Sequence, residues 1–82
     1  MTTLLLDASR YSSPRELHTA LKSMLGLPEY YGMNADALHD CLSERREPVN
    51  LWIVSSGEGD VARSVASVRA VVEDLGGSVR EI

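Results

Sequence analysis

Three runs of β-forming residues lie too far apart in this chain to pair as hairpins, and that spacing constrains the fold more than any other feature. Leu4-Leu5-Leu6, Val49-Asn50-Leu51-Trp52-Ile53-Val54 and Ser78-Val79-Arg80-Glu81-Ile82 are each separated from the next by segments with helical periodicity. Antiparallel neighbours can be joined by a two-residue turn, whereas parallel neighbours need a crossover of a dozen residues or more. The order β-α-α-β-α-β therefore predicts an α/β fold, a three-stranded parallel sheet packed with helices. The unbroken leucine run reads as a strand covered on both faces. Val49–Val54 reads as the central strand, with Pro48 at its first position and Trp52 in the core. Arg80 and Glu81 mark the last run as an edge.

The helical segments carry their own punctuation. Ser13-Pro14-Arg15-Glu16 combines a capping serine, a proline suited to the first helical position and the acid of a capping box. Leu17, Ala20, Leu21, Met24 and Leu25 form the predicted buried stripe of that helix, and Gly26 closes it where positive φ is tolerated. A short second helix begins after Asn34, a good N-cap, and turns Leu38, Cys41 and Leu42 inward. Asp60 is the expected cap of a long third helix whose stripe is Val61, Val65, Val68, Val72 and Leu75, with Gly76-Gly77 as its end.

Eighty-two residues, 44% of them hydrophobic, make one expected domain, 1–82, which buries roughly 60% of its unfolded surface. The single Cys41 excludes an internal disulfide framework and fits the cytoplasm, the expected location. The apolar run at the N-terminus stops at Asp7 and has no basic flank, so it predicts neither a signal peptide nor a membrane span. Net charge is −4, with no basic half, which disfavours direct nucleic-acid binding. There is no Gly-rich phosphate loop and no nucleophile elbow, so neither an enzyme nor a cofactor is expected.

The stretch LPEYYGMNADALHDCL, residues 27–42, has three acids, two adjacent tyrosines and no Lys or Arg. On a helical wheel Asp36, Asp40 and Glu44 share one outward face, with His39 and Ser43 beside them. Like charges four apart cost a helix about a few tenths of a kcal/mol per pair. A solvated face with Asp36 favoured by the helix dipole explains Asp36 better than Asp40. A metal set of Asp36, His39 and Asp40, completed by His18, is a thinner alternative. Two adjacent tyrosines in a turn cannot easily both point inward, so one is expected to anchor the loop and the other to meet a partner. An exposed tyrosine beside an acidic helix face suits a basic partner.

These same residues carry a family resemblance. Leu27-Pro28-Glu29-Tyr30-Tyr31-Gly32-x-Asn34-x-Asp36-Ala37-Leu38-x-Asp40-Cys41-Leu42 resembles the barstar family of intracellular inhibitors of secreted ribonucleases, and Leu17, His18 and Leu21 extend the likeness. The resemblance implies a barstar-like fold and an inhibitor that plugs a ribonuclease active site with the second helix and the loop before it. It implies that Asp40 takes the place of an RNA phosphate, that Asp36 supports it, and that Tyr30 packs on the catalytic region. Asn34 and the backbone at Gly32 would add hydrogen bonds, with His39 and Ser43 on the same surface and Glu44 and Glu73 as secondary contacts. The implied partner is a secreted microbial ribonuclease with a basic cleft, bound 1:1.

The sequence also departs from the family's namesake. His39 stands where the namesake has tryptophan and Met33 where it has glutamate. Val71 stands where it has a contacting acid, for which Glu73 or Asp74 is a candidate substitute, and the loop Ser55–Gly59 is shorter. These changes point to a guanyl-specific ribonuclease other than the namesake's target. The alternative is an immunity or interaction module of the same fold with a basic partner that is not a ribonuclease.

Overall fold

The computed structural model describes residues 2–82. Strand β1 (Thr2–Asp7) is followed by a single 3-10 turn (Ala8–Arg10), helices α1 (Pro14–Leu25) and α2 (Ala35–Ser43), strand β2 (Val49–Ser55), helix α3 (Gly59–Asp74) and strand β3 (Val79–Glu81). The sheet is parallel throughout, with β2 between β1 and β3. The predicted order, the parallel sheet and the central place of β2 are all present.

A chain that moves one way across a sheet, with crossovers of one hand, lays every helix on the same face. Burial along the strands follows that rule. Leu4 and Leu6 of β1 and Val49, Leu51 and Ile53 of β2 point into the core, while Leu5, Trp52 and Val54 point away and are exposed. The expectation of a strand covered on both faces, and of Trp52 in the core, is thus corrected. Among the described residues no helix remains for the second face, because β1, β2 and β3 are laid down in order without a reversal. The core is completed by Leu17, Leu21 and Leu25 of α1, Leu38 and Leu42 of α2, and Val61, Val65, Val68, Val71 and Val72 of α3.

Local signals set the helix ends. The Ser13 hydroxyl accepts from the Glu16 N–H at 3.2 Å, Pro14 opens α1, and Gly26 closes it at φ 62°. Within α1, however, Met24 is exposed and His18 is buried in its stead. Helix α3 begins two residues before the expected point, with Glu58 at the cap position in place of Asp60 and no side-chain cap; Asp60 lies inside the first turn and pairs with Arg63 at 3.2 Å. At the far end Gly76 adopts φ 86°. Gly77 then passes so close to β2 that a Cβ there would lie 2.0 Å from the Val49 carbonyl oxygen and 2.7 Å from Val72 Cγ1.

His18 owes its burial to a partner. Its Nδ1 lies 2.6 Å from the Tyr31 hydroxyl, which is 3.5 Å from the Asn34 carbonyl. The longer separation is poor for an O–H donor, so the phenolic proton belongs on the His18 side and the ring proton at Nε2. Burial holds His18 below its ordinary range and, with a smaller effect from Cys41, pushes Tyr31 up to about 12. Both groups are therefore neutral when paired, and the bond ties α1 to the segment that leads into α2.

Two predictions arise from this packing. Gly77→Ala places a methyl against backbone rather than against a side chain that can move aside, and should lower unfolding free energy by about 2–3 kcal/mol in urea titrations. His18 has a folded pKa below its unfolded value of 6.5, so its stabilising contribution is complete above that value and is lost as pH falls through the folded one. The stability difference between wild type and His18→Gln should shrink between about pH 8 and about pH 5. A difference that stays constant would contradict the assignment.

Candidate functional site

The loop before α2 is fixed from both sides. Lys22 of α1 pairs with Glu29 at 3.2 Å, the Tyr31 N–H donates to the Pro28 carbonyl at 3.0 Å, and the Tyr31 ring is buried against His18. With Tyr31 held inside at 5% exposure, its neighbour Tyr30 is driven out to 82%. The expected division between an anchoring and an available tyrosine is thus present, with Tyr31 as the anchor.

The start of α2 is compact. The Asn34 side-chain oxygen accepts from the Ala37 N–H at 2.8 Å, and its amide donates to the Gly32 carbonyl at 3.2 Å. Both ends of that side chain are therefore engaged in shaping the loop. A Cβ on Gly32 would lie 3.1 Å from Ala37 Cβ, tight enough to disfavour a larger residue. Met33 is the one non-glycine with positive φ among the described residues, at 58°. A side chain held there costs about 1–2 kcal/mol, which the surrounding bonds offset.

Inward from this surface, Leu38 and Leu42 are buried and Cys41 is half-buried against the core. Asp36, Asp40, Ser43 and Glu44 are all exposed on the other side. The Ser43 hydroxyl donates to the Asp40 carbonyl at 2.8 Å, leaving the Asp40 carboxylate uninvolved. Among the described residues, Asp36, Asp40 and Glu44 have no ion-pair partner, whereas Glu29, Asp60, Glu73, Asp74 and Glu81 each have one. Three acids with nothing to neutralise them therefore sit together on a rigid helix.

His39 occupies the same surface and reaches across to α3, where its Nε2 lies 3.0 Å from Asp74 Oδ2. A carboxylate can only accept, so Nε2 carries the proton in this pair and Nδ1 is left as the outward-facing acceptor or, when protonated, donor. The sequence alone gave no sign of this contact, which spans 35 residues. Of the two candidate substitutes for the distal acid, Asp74 is the one brought beside α2; Glu73 turns to Arg69 on its own helix at 3.5 Å. Val71, at the matching position, is buried in the core.

The alternative chemistry finds no geometry. His18 is buried on α1 against Tyr31 and does not join Asp36, His39 and Asp40. Among the described residues no three His, Cys, Asp or Glu side chains converge as metal ligands, and no helix is long and apolar enough to cross a membrane.

Comparison with known proteins agrees with the architecture. A family model described as Barstar (barnase inhibitor) matches residues 1–81. A Bacillus subtilis (strain 168) protein named "Putative ribonuclease inhibitor YrdF" is 42% identical over 43 residues, which cover 52% of this chain and 47% of that protein. The matched stretch thus spans about half the length of that relative. A family match that runs from the first strand to the last, over a sheet and helices in the order the resemblance implied, places this chain in the barstar family.

Proposed function

We propose that this chain is a protein inhibitor of a secreted, guanyl-specific microbial ribonuclease, bound 1:1, and that it protects the cytoplasm of the cell that makes the nuclease. The observation that carries this reading is the unpaired carboxylate row Asp36, Asp40 and Glu44, together with the exposed ring of Tyr30 in the loop that leads into the same helix. The family description and the relative's name support the same class of partner.

The mechanism is occlusion. A cleft that binds RNA phosphates presents arginine, lysine and histidine donors converging on an oxyanion. A carboxylate on a rigid helix can take the oxyanion's place, but offers no phosphodiester to cleave. Asp40 sits nearly two turns beyond the Asn34 cap of α2, so it projects from the middle of the face and takes the phosphate position. Asp36, one turn earlier, adds negative potential beside it. Tyr30 supplies a large, stiff contact with a polar tip, and Gly32 keeps the loop close to the enzyme. Glu44 lies at the rim, where its charge steers approach rather than holds the complex. The role is binding, and no turnover is expected of the chain itself.

The decisive assay is RNA cleavage by a panel of guanyl-specific microbial ribonucleases, with and without the protein. At least one enzyme should be stoichiometrically silenced. Binding to a basic protein with cleavage untouched would move the chain to the non-ribonuclease class. For the inhibited enzyme, Asp40→Ala should weaken binding by about 2–5 kcal/mol, chiefly through faster dissociation. That range comes from truncations at charged interfaces, the barnase–barstar pair among them, and not from this chain. Glu44→Ala should change mainly the association rate and its salt dependence. Equal, small losses for both would refute the central place of Asp40.

A further inference from the structure

The face of the sheet away from the helices carries a second ordered surface. The outward positions form cross-strand rows: Thr3 beside Asn50, then Leu5 beside Trp52 beside Arg80. The Ile82 N–H donates to the Ile53 carbonyl at 2.9 Å, so β3 continues past Glu81 and sets Ile82 near Val54. Leu5 is 59% exposed, Trp52 40%, Val54 45% and Ile82 63%. Together they leave roughly 400 Å² of apolar surface in one patch, as much as the largest patch on a monomer of ordinary size. Here it belongs to a chain whose whole accessible surface is 4952 Å².

Arg80 is the only charged side chain among these outward strand positions, and its guanidinium carbon lies 5.8 Å from the centroid of Trp52. Glu81 turns the other way and pairs with Arg69 of α3 at 2.9 Å. The patch is thus apolar with one cation beside it, and the nearest acid along β1, Asp7, is turned to Ser9, so the −4 charge of the chain is carried elsewhere.

We propose that this face is a self-association surface, on which a second copy of the chain packs sheet against sheet. Two sheets stack about 10 Å apart with their strands nearly aligned. A two-fold axis parallel to the strands sets β1 of one copy over β3 of the other. Leu5 then meets the aliphatic stem of Arg80 in the second copy, and Trp52 meets Trp52. The two Arg80 backbones lie on opposite edges, on the order of 14 Å apart by strand and sheet spacings, and each guanidinium swings off its own Trp52 ring for the two rings to meet. An axis across the strands would bring the two arginines together, and so is disfavoured.

Area sets the strength. A stable interface takes about 800 Å² from each partner. The apolar patch supplies about half, and Thr3, Asn50 and Arg80 supply much of the rest, so the dimer is weak and concentration-dependent. Helix α2 lies on the opposite side of the molecule and stays open in either state, so this proposal does not depend on what α2 binds.

Trp52 is the only tryptophan and sits at the centre of the proposed contact. Sedimentation equilibrium and tryptophan emission, measured from about 1 μM to about 1 mM, should show mass rising toward twice the monomer's with a parallel blue shift. Leu5→Lys and, separately, Ile82→Lys alter exposed side chains, should keep the wild-type melting temperature, and should raise the dimer dissociation constant at least tenfold. A wild type that stays monomeric across the range overturns the proposal, as does a dimer that survives both substitutions unchanged.

Discussion

Everything else in this molecule depends on the one-way order of its strands. Because β1, β2 and β3 are added in sequence across the sheet, α1, α2 and α3 must share one face. That face becomes the core, with Leu6, Leu17, Leu21, Leu38, Leu51, Val65 and Val68 all removed from water. Three helices crowded on three strands cannot all be central. Helix α2, at nine residues the shortest, buries only Leu38 and Leu42 fully, with Ala35, Ala37 and Cys41 packed against the core beside them, which leaves its opposite side to water. The outward acidic face is thus first of all a consequence of topology.

The cost of that face is small against the stability of the whole. Like-charge pairs at four-residue spacing cost a few tenths of a kcal/mol each, roughly, against a net folding free energy of about 5–15 kcal/mol for ordinary domains. The structure holds the helix in place by other means. Asn34 caps it, Tyr31 and His18 lock the segment that leads into it, and His39 reaches Asp74 at the end of α3. None of these ties uses Asp36, Asp40 or Glu44. Rigidity and charge come from separate residues, so the carboxylates are presented without being spent on the fold. That is the condition under which they can be most valuable to a partner, since little entropy is lost in ordering them on binding.

What could be read from the sequence was local, and what could not was set by distant packing. Ser13, Pro14, Gly26 and Asn34 announce helix ends because a cap is a matter of three or four residues. Leu38 and Leu42 of α2 and Val61, Val65, Val68 and Val72 of α3 follow from periodicity, whereas Val71 is buried though outside that stripe and Leu75, within it, is only half-buried. Met24 and His18 lie on neighbouring parts of α1, and the choice between them turned on Tyr31, thirteen residues away, which satisfies the imidazole. Hydrophobicity alone favours the methionine. Likewise, a run of leucines looks doubly covered unless the strand order and crossover hand are combined, and only their combination leaves Leu5 and Trp52 bare. The His39–Asp74 pair depends on how α2 docks against α3, which no pattern within either helix encodes.

The bare sheet face and the acidic helix face are opposed in chemistry as well as position. One has unpaired negative charge and a polar rim; the other has four apolar side chains and a single arginine. A surface that only tolerated water would be expected to alternate polar residues along β2, as antiparallel edges commonly do. Instead β2 places Trp52 and Val54 outward in succession, after Asn50. The Arg80 guanidinium shields part of the Trp52 ring, which lowers the cost of leaving that face uncovered when the chain is alone. Shielding by one flexible side chain is reversible, unlike burial under a helix. A face covered this way remains open to an apolar partner whose approach can displace the water that the arginine merely holds off.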